Sequence, residues 1–191
     1  MKLRGIAIIA TSIIGLGSPA LAQFNAESDQ FVDAVEKADG DKAMQLFKPT
    51  STFVDARNAK GDTVLIIALA RSDSDWTAFL LNKGADPNLP ARANGDTPLI
   101  VAARVGFEDG AEWLLSVGAK VDGANRMGET PLIVAVQQRE PELVKLLLKS
   151  GADPDKPDSA AGYSARDYAA RDPRAREILQ LIQATKAKAG R

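Results

Sequence analysis

The sequence of 191 residues contains no cysteine and no histidine. Without cysteine the chain forms no disulfide and offers no thiolate to a substrate or a metal ion. Without histidine it lacks the only side chain whose ordinary pKa lies between pH 5 and 8, which is also the commonest metal ligand. Cysteine–histidine zinc sites, Ser-His-Asp triads and Cys-His dyads are therefore excluded.

An excess of charge of either sign is also missing. The chain has 24 Lys and Arg against 25 Asp and Glu, and this balance argues against nucleic acid as the main partner. The carboxylates are scattered, and no phosphate-binding loop, G-x-S-x-G motif or dinucleotide fingerprint is present. We therefore expect no cofactor, no metal site and no enzymatic activity, and we keep an enzyme as a remote alternative.

A continuous apolar segment long enough to span a membrane is absent as well. The apolar run near the N-terminus covers residues 6–16, whereas a spanning helix needs about 20 residues. Lys2 and Arg4 precede this run and the small-x-small pattern ALA follows it at residues 20–22, an arrangement typical of a secretory signal peptide. We expect residues 1–22 to be cleaved and the remaining chain to be periplasmic or secreted, with no stable membrane insertion after cleavage.

What the sequence does contain is a repeated string. GDTPLIVAA at residues 95–103 returns almost unchanged as GETPLIVAV at residues 128–136. A threonine or serine recurs in four such strings, with spacings of 34, 33 and 34 residues: Thr63, Thr97, Thr130 and Ser164. A period of this length indicates stacked units that share one core.

Each repeated unit carries the signals of a helix pair. Thr97 is a suitable N-cap, and Pro98 is a suitable first helical residue. Leu99 and Ala102 fall on one face of the helix that follows. After a short turn, a second apolar helical segment ends at a glycine such as Gly118, which can adopt the left-handed conformation past a helix end. The sequence therefore predicts a helix, a turn, a second helix and a turn-rich loop in each unit.

These units resemble ankyrin repeats, whose period is about 33 residues and whose signature begins with Thr-Pro-Leu. The matching residues are Thr97-Pro98-Leu99, Thr130-Pro131-Leu132, Gly84-Ala85-Asp86 and Gly151-Ala152-Asp153. The resemblance implies an all-α solenoid of about five helix-turn-helix units over residues 23–185, followed by a basic tail at residues 186–191. The units are expected at about 26–56, 57–90, 91–123, 124–157 and 158–185, the first and last being atypical caps.

The sequence departs from the family at one position of each inner unit. The histidine that follows Thr-Pro-Leu in the family is replaced here by isoleucine, at Ile66, Ile100 and Ile133. The hydrogen bonds that the family makes between threonine and histidine are therefore absent. We expect the isoleucines to extend the apolar core between units instead.

The two tryptophans are large residues that could serve either the core or a binding surface. Trp76 and Gly110 both lie 15 residues after the leading glycine of their units. Because equivalent positions of stacked units are neighbours, we expect Trp76 to pack in the core against Gly110. The sequence leaves Trp113 open between core and surface.

In ankyrin-like stacks, partners are usually held by the loop tips and by the exposed side of the first helix of each unit. The resemblance therefore implies a concave partner-binding face. The positions mapped to it are Lys60, Asp62, Arg71, Asn94, Asp96, Arg104, Arg126, Met127, Glu129, Gln137, Gln138, Tyr163 and Arg171. Arginine and tyrosine are enriched in binding hot spots, but helix ends favour arginine in any case, so an ordinary solvated face is the alternative.

These observations together predict an exported protein-binding module, an adaptor or inhibitor, whose partner is another exported protein. The alternative is a binder of anionic envelope polymer or lipid headgroups, which the arginines and the basic tail would contact. Salt separates the two, because binding that depends on exposed charges weakens as ionic strength rises.

Overall fold

A computed structural model describes the backbone of residues 19–47 and 53–189, and the side chains of residues 26–47 and 53–185. The described residues form α-helices and two short 3-10 helices, with no β-strand among them, which confirms the predicted all-α class. The α-helices are α1 (Pro19–Glu36), α2 (Gly40–Leu46), α3 (Val64–Ala70), α4 (Ser74–Asn82), α5 (Pro98–Val105), α6 (Glu108–Ser116), α7 (Pro131–Gln138), α8 (Pro141–Lys149), α9 (Ala165–Arg171) and α10 (Arg176–Ala189). The 3-10 helices are Phe53–Asp55 and Pro173–Ala175.

Both predicted terminal segments fall partly outside the described residues. Of the predicted signal peptide only residues 19–22 are described, as the first turn of α1, and α1 continues past the expected cleavage point. The backbone of the predicted basic tail is helical as far as Ala189, as the end of α10. Within the described part of the chain, no helix is long and apolar enough to cross a membrane.

The first helix of each inner unit begins where the sequence predicts. Thr63, Thr97 and Thr130 are N-caps whose hydroxyl oxygens each accept a hydrogen bond of 3.2 Å from the backbone N–H three residues later. These bonds satisfy N–H groups that have no partner within the helix itself. In the last unit Ser164 and Asp167 form a reciprocal capping box, which supports the prediction of a fifth helix pair.

The units stack in two layers of helices. One layer contains the first helices α3, α5, α7 and α9, and the other contains the second helices α4, α6, α8 and α10, each packed against the next in its layer. The three isoleucines at the family's histidine position are at most 5% exposed, which confirms that they extend the core: Ile66, Ile100 and Ile133. Buried alanines such as Ala102 and Ala135 let neighbouring first helices approach closely.

The aromatic residues pack differently from the prediction at one position. Trp76 is partly buried as expected, with its ring 6.2 Å from the Phe31 ring and 5.2 Å from the Phe79 ring. The prediction that it faces Gly110 is wrong, because the ring of Phe107 occupies the space beside that glycine. The glycine that lies beside Trp76 is Gly40 in the preceding unit, where an added Cβ would be in ordinary contact with the indole Nε1 at 3.7 Å.

Candidate partner-binding site

Four short loops project between the helix pairs and form the tips of the concave face. We call them the tip loops, which are residues 58–62, 91–96, 125–129 and 158–163. Each is closed by a hydrogen bond of 2.9 to 3.1 Å from the N–H of its first residue to the carbonyl oxygen of its last. In three of them the first residue is Asn or Asp, whose side-chain oxygen accepts further hydrogen bonds from backbone N–H groups within the same loop. The tips are therefore held in shape before any partner binds.

The last residue of each tip loop lies eight residues before a residue in the last turn of the following first helix. We call these two positions a tip–helix pair. The pairs are Asp62 with Ala70, Asp96 with Arg104, Glu129 with Gln137, and Tyr163 with Arg171. Three pairs are in contact. Arg104 Nη2 donates to Asp96 Oδ2 at 2.9 Å, and Gln137 Nε2 donates weakly to Glu129 Oε1 at 3.5 Å. The Arg171 guanidinium lies 3.8 Å from the centre of the Tyr163 ring.

Two of the acidic residues mapped to exposed tips are in fact buried. Asp96 is 3% exposed and Glu129 is 8% exposed, so these two mapped residues present little of their carboxylates to a partner. The Asn125 amide nitrogen donates to Asp96 Oδ1 and to Glu129 Oε2, at 2.8 Å each, and Asn94 Nδ2 donates to Asp96 Oδ2 at 2.8 Å. Buried carboxylates need such donors, so these side chains hold consecutive tips together.

The mapped arginines do not form a free cationic row. Arg71 Nη1 donates to the carbonyl oxygens of Val35 and Glu36, at 3.0 and 2.9 Å, and so closes the C-terminal end of α1. Arg126 donates to the carbonyl oxygens of Ala93 and Arg92 in the preceding tip loop, at 3.0 and 2.6 Å. Arg104 and Arg171 are engaged in their tip–helix pairs. From the sequence these four arginines map to the partner-binding face. In the structure each guanidinium group already has a partner inside the molecule.

An open groove lies between the second and third units, with a volume of about 580 Å³. Its floor is apolar and includes Val105, which is 41% exposed. The lining residues are Lys60, Asp62, Ile66, Ala70, Ala91, Ala93, Asn94, Asp96, Val101, Arg104 and Val105. Within the described residues, the side chains of Lys60 and Asp62 make no hydrogen bond or ion pair. The groove therefore combines apolar surface with two charges that are free to contact a ligand.

The groove brings together only part of the predicted set. Five predicted residues line it: Lys60, Asp62, Asn94, Asp96 and Arg104. The other eight lie outside it: Arg71, Arg126, Met127, Glu129, Gln137, Gln138, Tyr163 and Arg171. Sequence reasoning missed the apolar members, above all Ala70, Val101 and Val105. A signal for Val105 was present, since this position at the end of the first helix is polar in the neighbouring units, as Arg71 and Gln138.

The largest pKa shifts belong to residues of the last unit, and they take each pKa further from pH 7. The Tyr168 hydroxyl donates to Asp158 Oδ2 at 2.6 Å, and this bond together with burial raises the pKa of Tyr168 to about 12. Burial raises the pKa of Asp158, but the bonds from Tyr168 and from backbone N–H groups outweigh it and leave that pKa below its ordinary value. Hydrogen bonds from the Arg174 N–H and the Arg139 side chain lower the pKa of Asp172 to about 2. None of these groups is suited to exchange protons near pH 7.

The comparisons with known proteins agree with this geometry. The family model described as ankyrin repeats (3 copies) matches residues 31–125 and 91–158, which together cover most of the chain. A search of curated proteins finds no match. In the part of the chain that the structure describes, no three Asp or Glu side chains are grouped in a way that could hold a metal ion. Stacked helix pairs, capped first helices and projecting tip loops are the architecture of modules that commonly bind other proteins, and the chain belongs to the ankyrin-repeat family.

Proposed function

We propose that this chain is an exported adaptor or inhibitor that binds another exported protein along its concave face. The observation that carries the proposal is the groove between the second and third units. Its apolar floor is partly exposed at Val105, and its rim carries Lys60 and Asp62, whose charged groups have no partner in the part of the chain that the structure describes. Protein partners are bound by such a combination of an apolar centre and a polar rim.

A protein partner is better supported than an anionic polymer. Polymer binding through charge requires several cations that are free to replace counterions. The guanidinium groups of Arg71, Arg104, Arg126 and Arg171 are each engaged within the molecule. In addition, the groove carries two acidic and two basic side chains, so it presents no excess positive charge to a polyanion.

Export rests on the N-terminal pattern of the sequence. Lys2 and Arg4, the apolar residues 6–16 and the small residues at 20–22 have the order of a signal peptide. N-terminal sequencing of the chain recovered from the periplasm or medium should give Gln23 as its first residue. Recovery of the intact chain, beginning with Met1, in the membrane fraction would contradict the proposal.

The binding face is tested by a matched pair of charge insertions. Val105 in the groove is 41% exposed, and Val117, at the end of α6 and outside the groove, is 48% exposed. Val105→Glu should abolish the recovery of a cross-linked exported protein, because it places a charge on the apolar floor. Val117→Glu should leave recovery unchanged.

Two outcomes would overturn the assignment. Equal recovery with both variants would place the binding surface outside the groove. Complete loss of binding to the wild-type chain in about 1 M salt, where exposed charges are screened within about 3 Å, would favour the polymer alternative.

A further inference from the structure

The second unit differs from the other three at its tip–helix pair. In the third, fourth and fifth units the helix position holds Arg104, Gln137 or Arg171, and each of these side chains contacts the last residue of its tip loop. In the second unit the helix position is Ala70, whose methyl group cannot reach Asp62. This pair alone among the four is open, and the open space belongs to the groove.

A second donor is also missing beside Asp62. In the third unit the carboxylate of Asp96 is bound from two directions, by Arg104 of its own unit and by Asn125, the first residue of the next tip loop. The residue that corresponds to Asn125 one unit earlier is Ala91, which begins the tip loop after Asp62. Because positions 70 and 91 are both alanine, Asp62 lacks the counterparts of Arg104 and Asn125. The third donor to Asp96 is Asn94, whose counterpart Lys60 makes no side-chain hydrogen bond or ion pair within the described residues.

We propose that a bound protein supplies the missing donor, as an arginine side chain that enters the groove and pairs with Asp62. This inference rests on the proposed function and names the chemistry of its partner. The arginine takes the position in the second unit that Arg104 holds in the third, and its methylene groups lie along Ala70 and Ile66. A planar guanidinium can donate to both oxygens of a carboxylate at once, and neither oxygen of Asp62 has a partner among the described residues.

The surroundings of Asp62 limit what can accompany that arginine. Val101 and Val105 continue the apolar floor, so an aliphatic neighbour of the arginine is accommodated there. Lys60 stands on the same rim and repels further cations. The partner segment is therefore a single arginine flanked by aliphatic residues, and a polybasic segment does not fit.

The test uses a short model peptide, acetyl-Gly-Leu-Arg-Val-Gly-amide, and the same peptide with neutral citrulline in place of arginine. Both are titrated into the full chain while its backbone amide resonances are followed by NMR. The arginine peptide should shift the resonances of Asp62, Ala70 and Val105. The citrulline peptide should bind about tenfold more weakly, because it offers similar contacts without the charge.

Two variants remove the site in different ways. Ala70→Arg closes the open pair from within the chain and should abolish the peptide-induced shifts. Asp62→Asn removes the charge and should weaken the arginine peptide to the affinity of the citrulline peptide. Ala170→Arg is the matched control, an equally drastic change at an exposed alanine of α9 outside the groove, and it should bind like the wild type. Circular dichroism and urea midpoints establish that each variant is folded.

The outcomes separate this inference from the proposed function. Equal affinity for the arginine and citrulline peptides, or undiminished binding by folded Ala70→Arg, overturns the arginine site. Capture of an exported protein that Val105→Glu abolishes and Asp62→Asn leaves unchanged also overturns the site, while the proposed function stands. Charge-dependent peptide binding without capture of any exported protein supports the site and overturns the proposed function.

Discussion

Replacing Asn125 should destabilise this protein far more than replacing Asn58, the corresponding residue of the first tip loop. Both residues begin a tip loop, and the side-chain oxygen of each accepts hydrogen bonds from two backbone N–H groups of its loop. They differ in what their amide groups donate to. The amide of Asn58 donates to the exposed Glu36, whereas that of Asn125 donates to the buried carboxylates of Asp96 and Glu129.

The expected magnitude follows from the partners that are left behind. Asn125→Ala leaves two buried carboxylate oxygens without a donor, and hydrogen bonds to charged groups contribute about 1.5–3 kcal/mol each. With the loss of the two loop bonds, at about 0.5–1.5 kcal/mol each, the free energy of unfolding should fall by at least about 4 kcal/mol. Asn58→Ala loses bonds that water can replace and should cost about 1–2 kcal/mol.

The assay is urea unfolding followed by circular dichroism. The two variants should share the slope of the wild type and differ in midpoint, since the surface exposed on unfolding is the same. Losses of stability within about 0.5 kcal/mol of each other would refute the reasoning, because they would mean that the amide of Asn125 contributes nothing beyond its loop bonds.

Asn125→Asp provides a second check on the same network. Aspartate keeps the oxygen that accepts from the loop, as Asp158 does in the last unit. It also places a third carboxylate between Asp96 and Glu129 and removes their shared donor. We expect strong destabilisation at neutral pH that is partly relieved as the pH falls, since protonating one of the three groups removes the repulsion. Wild-type stability at neutral pH would contradict this account.

Three further predictions concern the frame of the molecule, and all are measured by urea unfolding. Gly128→Ala should lower the free energy of unfolding by at least about 2 kcal/mol more than Gly151→Ala. Both glycines have positive φ, but of the two only Gly128 would bring an added Cβ against a backbone nitrogen, that of Ser159 at 2.5 Å. Thr77→Val should stabilise by about 1 kcal/mol, since the buried Thr77 hydroxyl has no hydrogen-bond partner among the described residues. Stability should be flat between about pH 5.5 and 7.5 and should fall above pH 10. Tyr168→Phe should lessen the fall.

The sign of the pH prediction follows from the directions of the pKa shifts. The pKa of Tyr168 is raised to about 12 in the folded state, so its contribution is complete below the ordinary pKa of about 10 and is lost as the pH rises towards 12. The pKa values of Asp158 and Asp172 are lowered, so their contributions are complete above about pH 4 and are lost in acid. A large change of the urea midpoint between pH 5.5 and 7.5 would contradict the prediction, since the chain has no histidine.

The helical frame was predictable because its signals are local. A threonine cap acts on the backbone three residues later, and a glycine past a helix end acts within the same turn. The starts of α3, α5 and α7 at Thr63, Thr97 and Thr130 are confirmed for this reason. Burial of the isoleucines was predictable on similar grounds, because an apolar residue on the inner face of a stacked helix has nowhere else to pack.

The state of each tip carboxylate was not predictable from its own loop. The strings GDT at residues 61–63 and GDT at residues 95–97 are identical. Yet Asp62 is half-buried and its side chain has no partner among the described residues, whereas Asp96 is buried and hydrogen-bonded. The difference comes from two later positions. One lies eight residues after the aspartate in the same unit and holds Ala70 or Arg104, and the other begins the next tip loop and holds Ala91 or Asn125. Such contacts exist only once the units are stacked, so a comparison of one loop with another cannot reveal them.

The same dependence on neighbours indicates where a stack of near-identical units acquires specificity. Each unit closes its own tip when the helix position carries a long polar side chain, and it leaves the tip open when that position is small. In this chain a single pair, Asp62 with Ala70, is open, and the groove lies beside it. Under the proposed function, a change from alanine to arginine at position 70 would convert the binding unit into a purely structural one without altering any cap, turn or core residue. Under the proposed arginine site, partner choice would be set by a position that contributes almost nothing to the fold.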